Sequence, residues 1–583
     1  MSTRSEQEVI KNRFNPLFYS ALIVFILLFL AEIFLMTKLN PYPCEDAYIT
    51  YQFSRNFAEG AGPVFNPGNR VEGYSNFVWM SLIAFAHKSG IRMTSFSVIG
   101  GWIFNILSLF LVWYIPVRHF SVKGVISLFG PLLYLLFLPL HFYAASGLET
   151  PFYSFLLLLC INLILYSGKK PFPFALTGLI FLLIALTRPE GIIFAIFWGA
   201  YLIWNAVFKG ESIKPYLPGI SVLITGYAVF ILWRLSYYGL PLPNTYYAKG
   251  SFPFSLRLMI GAITSKSFWS QYLHLPLIFL TLIGFVKFKE KKAAALFAFA
   301  AAGIFFSMGF SGFDWMPFFR YTLPIVPPII ILCQIIFGRH WENIIKERLL
   351  KRKLIWGLVT LFFISLAGLQ YYNDLTFNLR WKWINDFAMH NQKFFGSWVK
   401  NNLGKDPVIA IGDIGRIAYF SEATIIDIYG LAHKKFAALK KEYGTPDINI
   451  KNLTANFDTY KKKETELLLE VAPDYICFYN AKLKIFTTYT GSASGITESP
   501  EFKKKYTYMT TFSVIPRHES RAWPELPHYV DILDLSAGLL AWIENGWGYD
   551  IYIRKDSPYP PFIIESDPDG KIINIIKTGK TEG

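Results

Sequence analysis

Apolar runs long enough to cross a bilayer recur along the first two thirds of the chain. A span needs about 20 mostly apolar residues, and about eleven stretches meet that rule. Their centres lie near Ile26, Leu107, Leu133, Leu158, Phe181, Phe197, Thr225, Phe279, Phe299, Ile330 and Phe362. The stretch Gly73–His87 (GYSNFVWMSLIAFAH) is apolar but too short to span, and reads as interfacial or re-entrant. From about Asn373 the pattern changes. Apolar runs shorten to strand length at Val408–Asp413, Thr424–Gly430, Asp474–Asn480 and Tyr549–Arg554, with helical patterns at Trp383–Leu403 and Thr459–Val471. The pattern predicts a polytopic α-helical membrane region over residues 1–372 and a soluble α/β domain over 373–583.

Charge orients these elements. The tail before the first span carries Arg4, Lys11 and Arg13. Alternate loops then carry Arg118 and Lys123, Lys169 and Lys170, Lys209 and Lys214, and Lys287, Lys289, Lys291 and Lys292. The last such loop runs from Arg339 to Lys353 and is the densest. The positive-inside rule puts these loops in the cytoplasm, with the N-terminus inside and the C-terminal domain extracytoplasmic. The first run has no small-residue cleavage site after it and reads as an anchor, not a signal peptide. Only 16% of residues are charged and 53% are hydrophobic, against roughly 25% charge in soluble domains, so a soluble enzyme and a disordered chain are both excluded. The net charge of +16 then reads as cytoplasmic loops and not as a nucleic-acid surface. Four cysteines make no disulfide scaffold, and no spacing suggests zinc. Cys44 and Cys477 read as free thiols, the second in a strand core.

The opposite face holds the chemistry. Its loops carry Glu45-Asp46, Arg55, Glu72-Gly73-Tyr74, Gly147-Leu148-Glu149, Arg188-Pro189-Glu190, Asn244 with Lys249, and Asp314 with Arg320. Ionisable groups near a bilayer are costly and tend to mark sites. Structural readings compete at each. Asp46 fits a helix N-cap, Ser146–Glu149 a capping box, and Arg188–Gly191 a tight turn opening a helix. Asp314 and Arg320 fit an interfacial ion pair. Glu32 fits a side chain reaching up to the interface. Ile49, Phe53 and Phe57 repeat every four residues, as on a helix lying on the membrane. Adjacent carboxylates such as Glu45 and Asp46 suit a general base or a divalent-metal ligand.

The run EDAYITYQFSRNFAEGAGPVFNPGNRVEGYSNFVW in the first outer loop resembles a stretch of bacterial GT-C glycosyltransferases, in the arabinofuranosyltransferase-like branch. Further pieces match in order: SGLETPFYS, LTRPEG, YYGLPLPNTYYAK, DWMPFFRYTLP and, in the C-terminal domain, GDIGRIAYFSEATIIDIYGLAH. The resemblance implies a GT-C fold in a bacterial cytoplasmic membrane. It implies a polyprenyl-phosphate sugar donor and a cell-envelope glycan or glycolipid acceptor, with the sugar, arabinofuranose by family hint, transferred with inversion on the outer face. It implies a catalytic base in the first outer loop, where the family's Asp-Asp pair is Glu45-Asp46. Cations must meet the leaving phosphate, and Arg55, Arg188, Lys249 and Arg320 are the candidates. Glu72, Tyr74, Glu149, Glu190, Asn244 and Asp314 are the candidate substrate-binding residues. The expectation is no metal, no cofactor and no nucleic-acid partner. Two other classes compete: a lipid-linked oligosaccharide ligase or phospho-group transferase, and a transporter or flippase. The last would place charges at the bilayer midplane, whereas here they cluster at one face.

Overall fold

The computed structural model describes residues 16–166, 171–210, 212–249, 316–346, 350–404, 406–443, 457–479, 495–515, 547–568 and 570–579, with a few single positions between 259 and 272. The chain divides into two compact units. The first comprises 1–41, 97–229 and 261–380, and the second 42–96, 230–260 and 381–583. The boundary expected at 372/373 falls inside one continuous helix, Leu350–Asn402.

The first unit is helical. Among the described residues, four helices are long and apolar enough to cross a membrane: Tyr19–Leu39, Met93–Phe120, Gly191–Phe208 and Lys214–Tyr238. The pair Gly124–Leu135 and Leu138–Ala145, bent by 60°, counts as a fifth if taken as one span. This is the build of a multipass membrane chain. The runs around Leu158, Phe181 and Ile330 form shorter apolar helices, Thr150–Tyr166, Phe174–Thr187 and Leu323–Gly338. The runs around Phe279 and Phe299 lie outside the described residues.

Two features of this unit follow from apolar surroundings. Ile23, Leu27 and Phe34 on the first span are 59%, 61% and 66% exposed, which only lipid would make favourable. Where helices meet, small residues let backbones touch: a Cβ on Gly178 would lie 2.0 Å from the Gly219 carbonyl oxygen. Glu32 does not reach for the interface. It is buried and accepts a hydrogen bond from the Tyr371 hydroxyl, because that partner lowers the cost of keeping a carboxyl inside.

The second unit is built on a five-stranded sheet of order β2-β1-β3-β5-β4, comprising β1 (Val408–Ile411), β2 (Thr424–Asp427), β3 (Tyr475–Tyr479), β4 (Tyr506–Ile515) and β5 (Trp547–Arg554). β1 runs parallel to β2 and β3, while β5 runs antiparallel to β3 and β4. A hairpin of β6 (Phe562–Ser566) and β7 (Ile572–Lys577) completes it. Alternation along β1 feeds two cores. Ala410 joins Ile426, Phe436, Leu468 and Phe478 on one face. Ile409 and Ile411 join Phe395 and Val399 of the long helix on the other.

The second core also takes Phe53, Phe65 and Tyr74 from the loop that follows the first span. That loop forms helices α1 (Glu45–Ala58) and α2 (Phe77–Lys88). The 12 residues of α2 agree with its reading as too short to span. α1 does not present a stripe to the membrane. Phe53 is fully buried, Ile49 packs against the same core and only Phe57 is exposed, because the sheet supplies the apolar partner that a bilayer was expected to give.

Candidate active site

α1 opens on Cys44, whose side chain makes no capping bond, so Asp46 is not the cap. Glu45 and Asp46 instead occupy the first turn, where the helix dipole favours negative charge. Helix α3 (Gly415–Ser421) follows β1 and meets that turn. The Gly415 N–H donates to Glu45 Oε1 at 2.5 Å and the Arg416 N–H at 3.3 Å. A side chain at 415 would not fit, since its Cβ would lie 2.3 Å from the Glu45 carbonyl oxygen.

Two residues before Gly415, Asp413 accepts a hydrogen bond from the Tyr479 hydroxyl at 2.7 Å. Arg416 is buried, donates to the Pro43 carbonyl at 2.9 Å and to Gln392 at 3.3 Å, bonds Asn385, and lies 5.6 Å from the Tyr48 ring centroid. Glu45 and Asp413 both feel the charges of Asp46 and Arg416. Burial, then the charges of Asp413 and Asp46, push the Glu45 carboxyl well above its usual range, against the pull of Arg416 and the Gly415 N–H. Burial pushes Asp413 up to about 6 against the bonds of Tyr479 and Tyr549, and the charge of Asp46 adds to the rise.

The other expected residues of the second unit are tied into its packing. Arg55 donates to the Tyr419 carbonyl at 3.1 Å, pairs with Glu422 at 3.2 Å, bonds Gln52 and stacks on Tyr419. Glu72 is held by both nitrogens of an Arg234 fork, at 3.0 and 2.8 Å. Burial still leaves the Glu72 carboxyl raised to about 7, with Arg234 pulling the other way. Tyr74 bonds the Tyr238 hydroxyl at 3.1 Å. Asn244 donates to the Gly430 and Leu431 carbonyls at 2.7 and 3.0 Å. Lys249 ends the short helix Asn244–Lys249, half-buried.

In the first unit, Arg188 is the centre of a buried cluster. It donates to Glu190 at 2.5 Å and to Glu149 at 3.2 Å, and its guanidinium lies 4.6 Å from the Tyr321 ring centroid. The Gly191 N–H closes the expected turn onto the Arg188 carbonyl at 2.8 Å. The Ser146 hydroxyl accepts from the Leu148 N–H at 3.2 Å, while the Glu149 carboxylate turns to Arg188. Arg320 is buried and stacks on Tyr321 at 5.2 Å, just after Phe318 and Phe319, which both hold positive φ. Asp314 lies outside the described residues. Among the described residues no group of three or more His, Cys, Asp and Glu is arranged to hold a metal ion. The four cysteines are buried thiols, none of them in a disulfide.

Asp413, Arg416, Tyr479 and Arg234 were not among the residues expected. A signal existed for the first two. A carboxylate and an arginine directly follow the apolar strand run VIAIG, and loops at the carboxyl ends of parallel strands are where open α/β sheets take ligands.

A family model described as a domain of unknown function (DUF8728) matches residues 383–529. A terminal β-(1→2)-arabinofuranosyltransferase of Mycobacterium tuberculosis (strain ATCC 25618 / H37Rv) is 26% identical over 222 residues, covering 35% of this chain. The match spans 34% of that relative's length. Among solved structures, the chain is similar to ArnT from Cupriavidus metallidurans bound to undecaprenyl phosphate, at 12% identity and a TM-score of 0.47, over 70% of this chain and 85% of that one. It is also similar to the Archaeoglobus fulgidus oligosaccharyltransferase complexed with Zn and sulfate, at 12% identity and a TM-score of 0.49, over 83% and 71%. The sequence match to an arabinofuranosyltransferase agrees with the resemblance to GT-C glycosyltransferases that the first-loop motif carries.

Proposed function

We propose that the chain is a GT-C-type membrane glycosyltransferase that moves a sugar from a polyprenyl-phosphate donor to a cell-envelope glycan or glycolipid. The observation that carries this reading is the polar cluster at the first turn of α1, where the motif's carboxylates meet Asp413 and Arg416. Glu45 is committed to the N–H groups of Gly415 and Arg416. Asp46 matches the second position of the motif's acidic pair, where Glu45 departs from the first, and we take Asp46 as the base. Asp46 takes the proton of the acceptor hydroxyl, and that oxygen attacks the anomeric carbon. The bond from that carbon to the phosphate oxygen breaks, and polyprenyl phosphate leaves with the electron pair, inverting the centre. Lys249, at the end of the short helix Asn244–Lys249 in the same unit as Asp46, is the cation we assign to the leaving phosphate. Arabinofuranose is the sugar that the mycobacterial relative's name suggests. The reading includes about eleven spans, a cytoplasmic N-terminus and catalysis on the outer face of a bacterial cytoplasmic membrane.

The test uses the full chain in lipid nanodiscs, with polyprenyl-phosphate arabinofuranose and an arabinan fragment as acceptor, read by mass spectrometry. The acceptor should gain one pentose, and Asp46→Asn should abolish the gain. Transfer only from a pyrophosphate-linked oligosaccharide would instead identify a ligase. Transfer from neither donor would remove the glycosyltransferase reading.

A further inference from the structure

The sheet of the second unit has a topological switch point. β1 is followed by β2 on one side, and the chain then crosses to β3 on the other. Such crevices, outside the carboxyl ends of parallel strands, are where open α/β sheets carry their functional groups. Here the end of β1 delivers Asp413 and the end of β3 delivers Tyr479. Two contacts fix this edge to the first turn of α1: Glu45 with the Gly415 and Arg416 N–H groups, and Arg416 with the Pro43 carbonyl. Asp413, Asp46 and Glu45 are all only partly buried.

From this geometry we infer that Asp413 is a positioning residue of the reaction: with Glu45 and Asp46 it forms one proton-sharing unit, through which the sheet sets the pH range in which Asp46 accepts a proton. The inference rests on the role proposed for Asp46. The groups facing Asp413 are Glu45 and Asp46 from α1, Arg416 from α3, Tyr479 from β3 and Tyr549 from β5. Arg416 can balance one carboxylate, which leaves the others to repel. Repulsion between carboxylates is mutual, so the negative charge of Asp413 strengthens the hold of its neighbours on a proton. The cluster therefore titrates as a unit and not residue by residue. Asp413→Asn keeps an oxygen to accept from Tyr479 and removes the charge.

The experiment is the pH–rate profile of transfer for the wild-type chain, Asp413→Asn and Asp413→Glu. Asp413→Asn should move the acid limb down by about one pH unit, a tenfold change in proton affinity. It should lower the plateau several-fold and leave the KM of donor and acceptor unchanged. Asp413→Glu should return the limb towards the wild-type position. A merely structural Asp413 would reduce the yield of folded protein and leave the limb in place, and that result overturns the inference. A wild-type chain that transfers no sugar would count against the proposed function instead. An active wild type, an inactive Asp46→Asn and an unmoved Asp413→Asn limb would count against this inference alone.

Discussion

The carboxylates around Arg188 and those beside Arg416 belong to different compact units, and they are balanced differently. In the first unit Arg188 lies between Glu149 and Glu190, donating to both, with Arg320 and two tyrosine rings beside it. Among the described residues its two carboxylates and two guanidinium groups match in number. In the second unit Glu45 and Asp413 feel the charges of both Asp46 and Arg416, and burial pushes both towards the protonated form. A balanced buried cluster fixes a fold, since each charge already has its partner. Carboxyl groups crowded together hold a proton more tightly than free ones, which suits a site where a proton must be taken up. The sequence presents both as loop carboxylates with loop arginines. Only the three-dimensional count of charges separates them.

The comparison can be broken first at Asp46. Asp46→Asn should cut transfer by about 10²–10⁴-fold, while the protein stays folded and monodisperse. Retained turnover would put the base elsewhere. The opposite pattern is expected at Arg188. Arg188→Met leaves two buried carboxylates without their cation and should cost about 3–5 kcal/mol of stability, read as an earlier denaturation midpoint in detergent. An unchanged midpoint would mean that this cluster is not structural. Glu45→Gln sharpens the contrast within the over-acidic cluster. Glutamine still accepts from the Gly415 and Arg416 N–H groups, so turnover should fall by only about tenfold, or 1.4 kcal/mol. If Glu45→Gln is the more damaging of the two substitutions, the roles of Glu45 and Asp46 are exchanged. The smallest effect expected is none. Thiol counting on the denatured, unreduced chain should find four free cysteines, as the buried thiols of Cys44 and Cys477 imply; two would mean a covalent tie within the second unit.

What was legible in the sequence was what depends on neighbours in the chain. The apolar runs at Ile26, Leu107, Phe197 and Thr225 each mark a span-length helix. The runs VIAIGD, TIIDIYG and DYICFYN each contain a strand, and YDIYIR lies within one. Those signals are local, a matter of hydrophobic length and alternation. β4 was not read, and neither were the partners of the charged residues. Glu72 was visible as a loop carboxylate, but Arg234, 162 positions away, was hidden in a run long enough to span. The stripe of Ile49, Phe53 and Phe57 was read correctly as amphipathic and assigned the wrong apolar partner. Periodicity says that a face must be covered, not by what.

The joining of the first loop to the sheet has a consequence for how the protein is made. Asn66 donates to the Ile425 carbonyl and accepts from its N–H across 359 positions, and Arg416 reaches Pro43 across 373. At about 5–20 residues per second, the ribosome needs roughly 20–70 s to supply the second half of these contacts. Throughout that interval the loop holding Asp46 has no core to fold into, and Phe53 and Phe65 stay uncovered. Biogenesis is therefore an ordered wait: the loop is translated early and matures last. Shielding during synthesis, rather than the strength of the finished core, should limit how much active protein a cell accumulates.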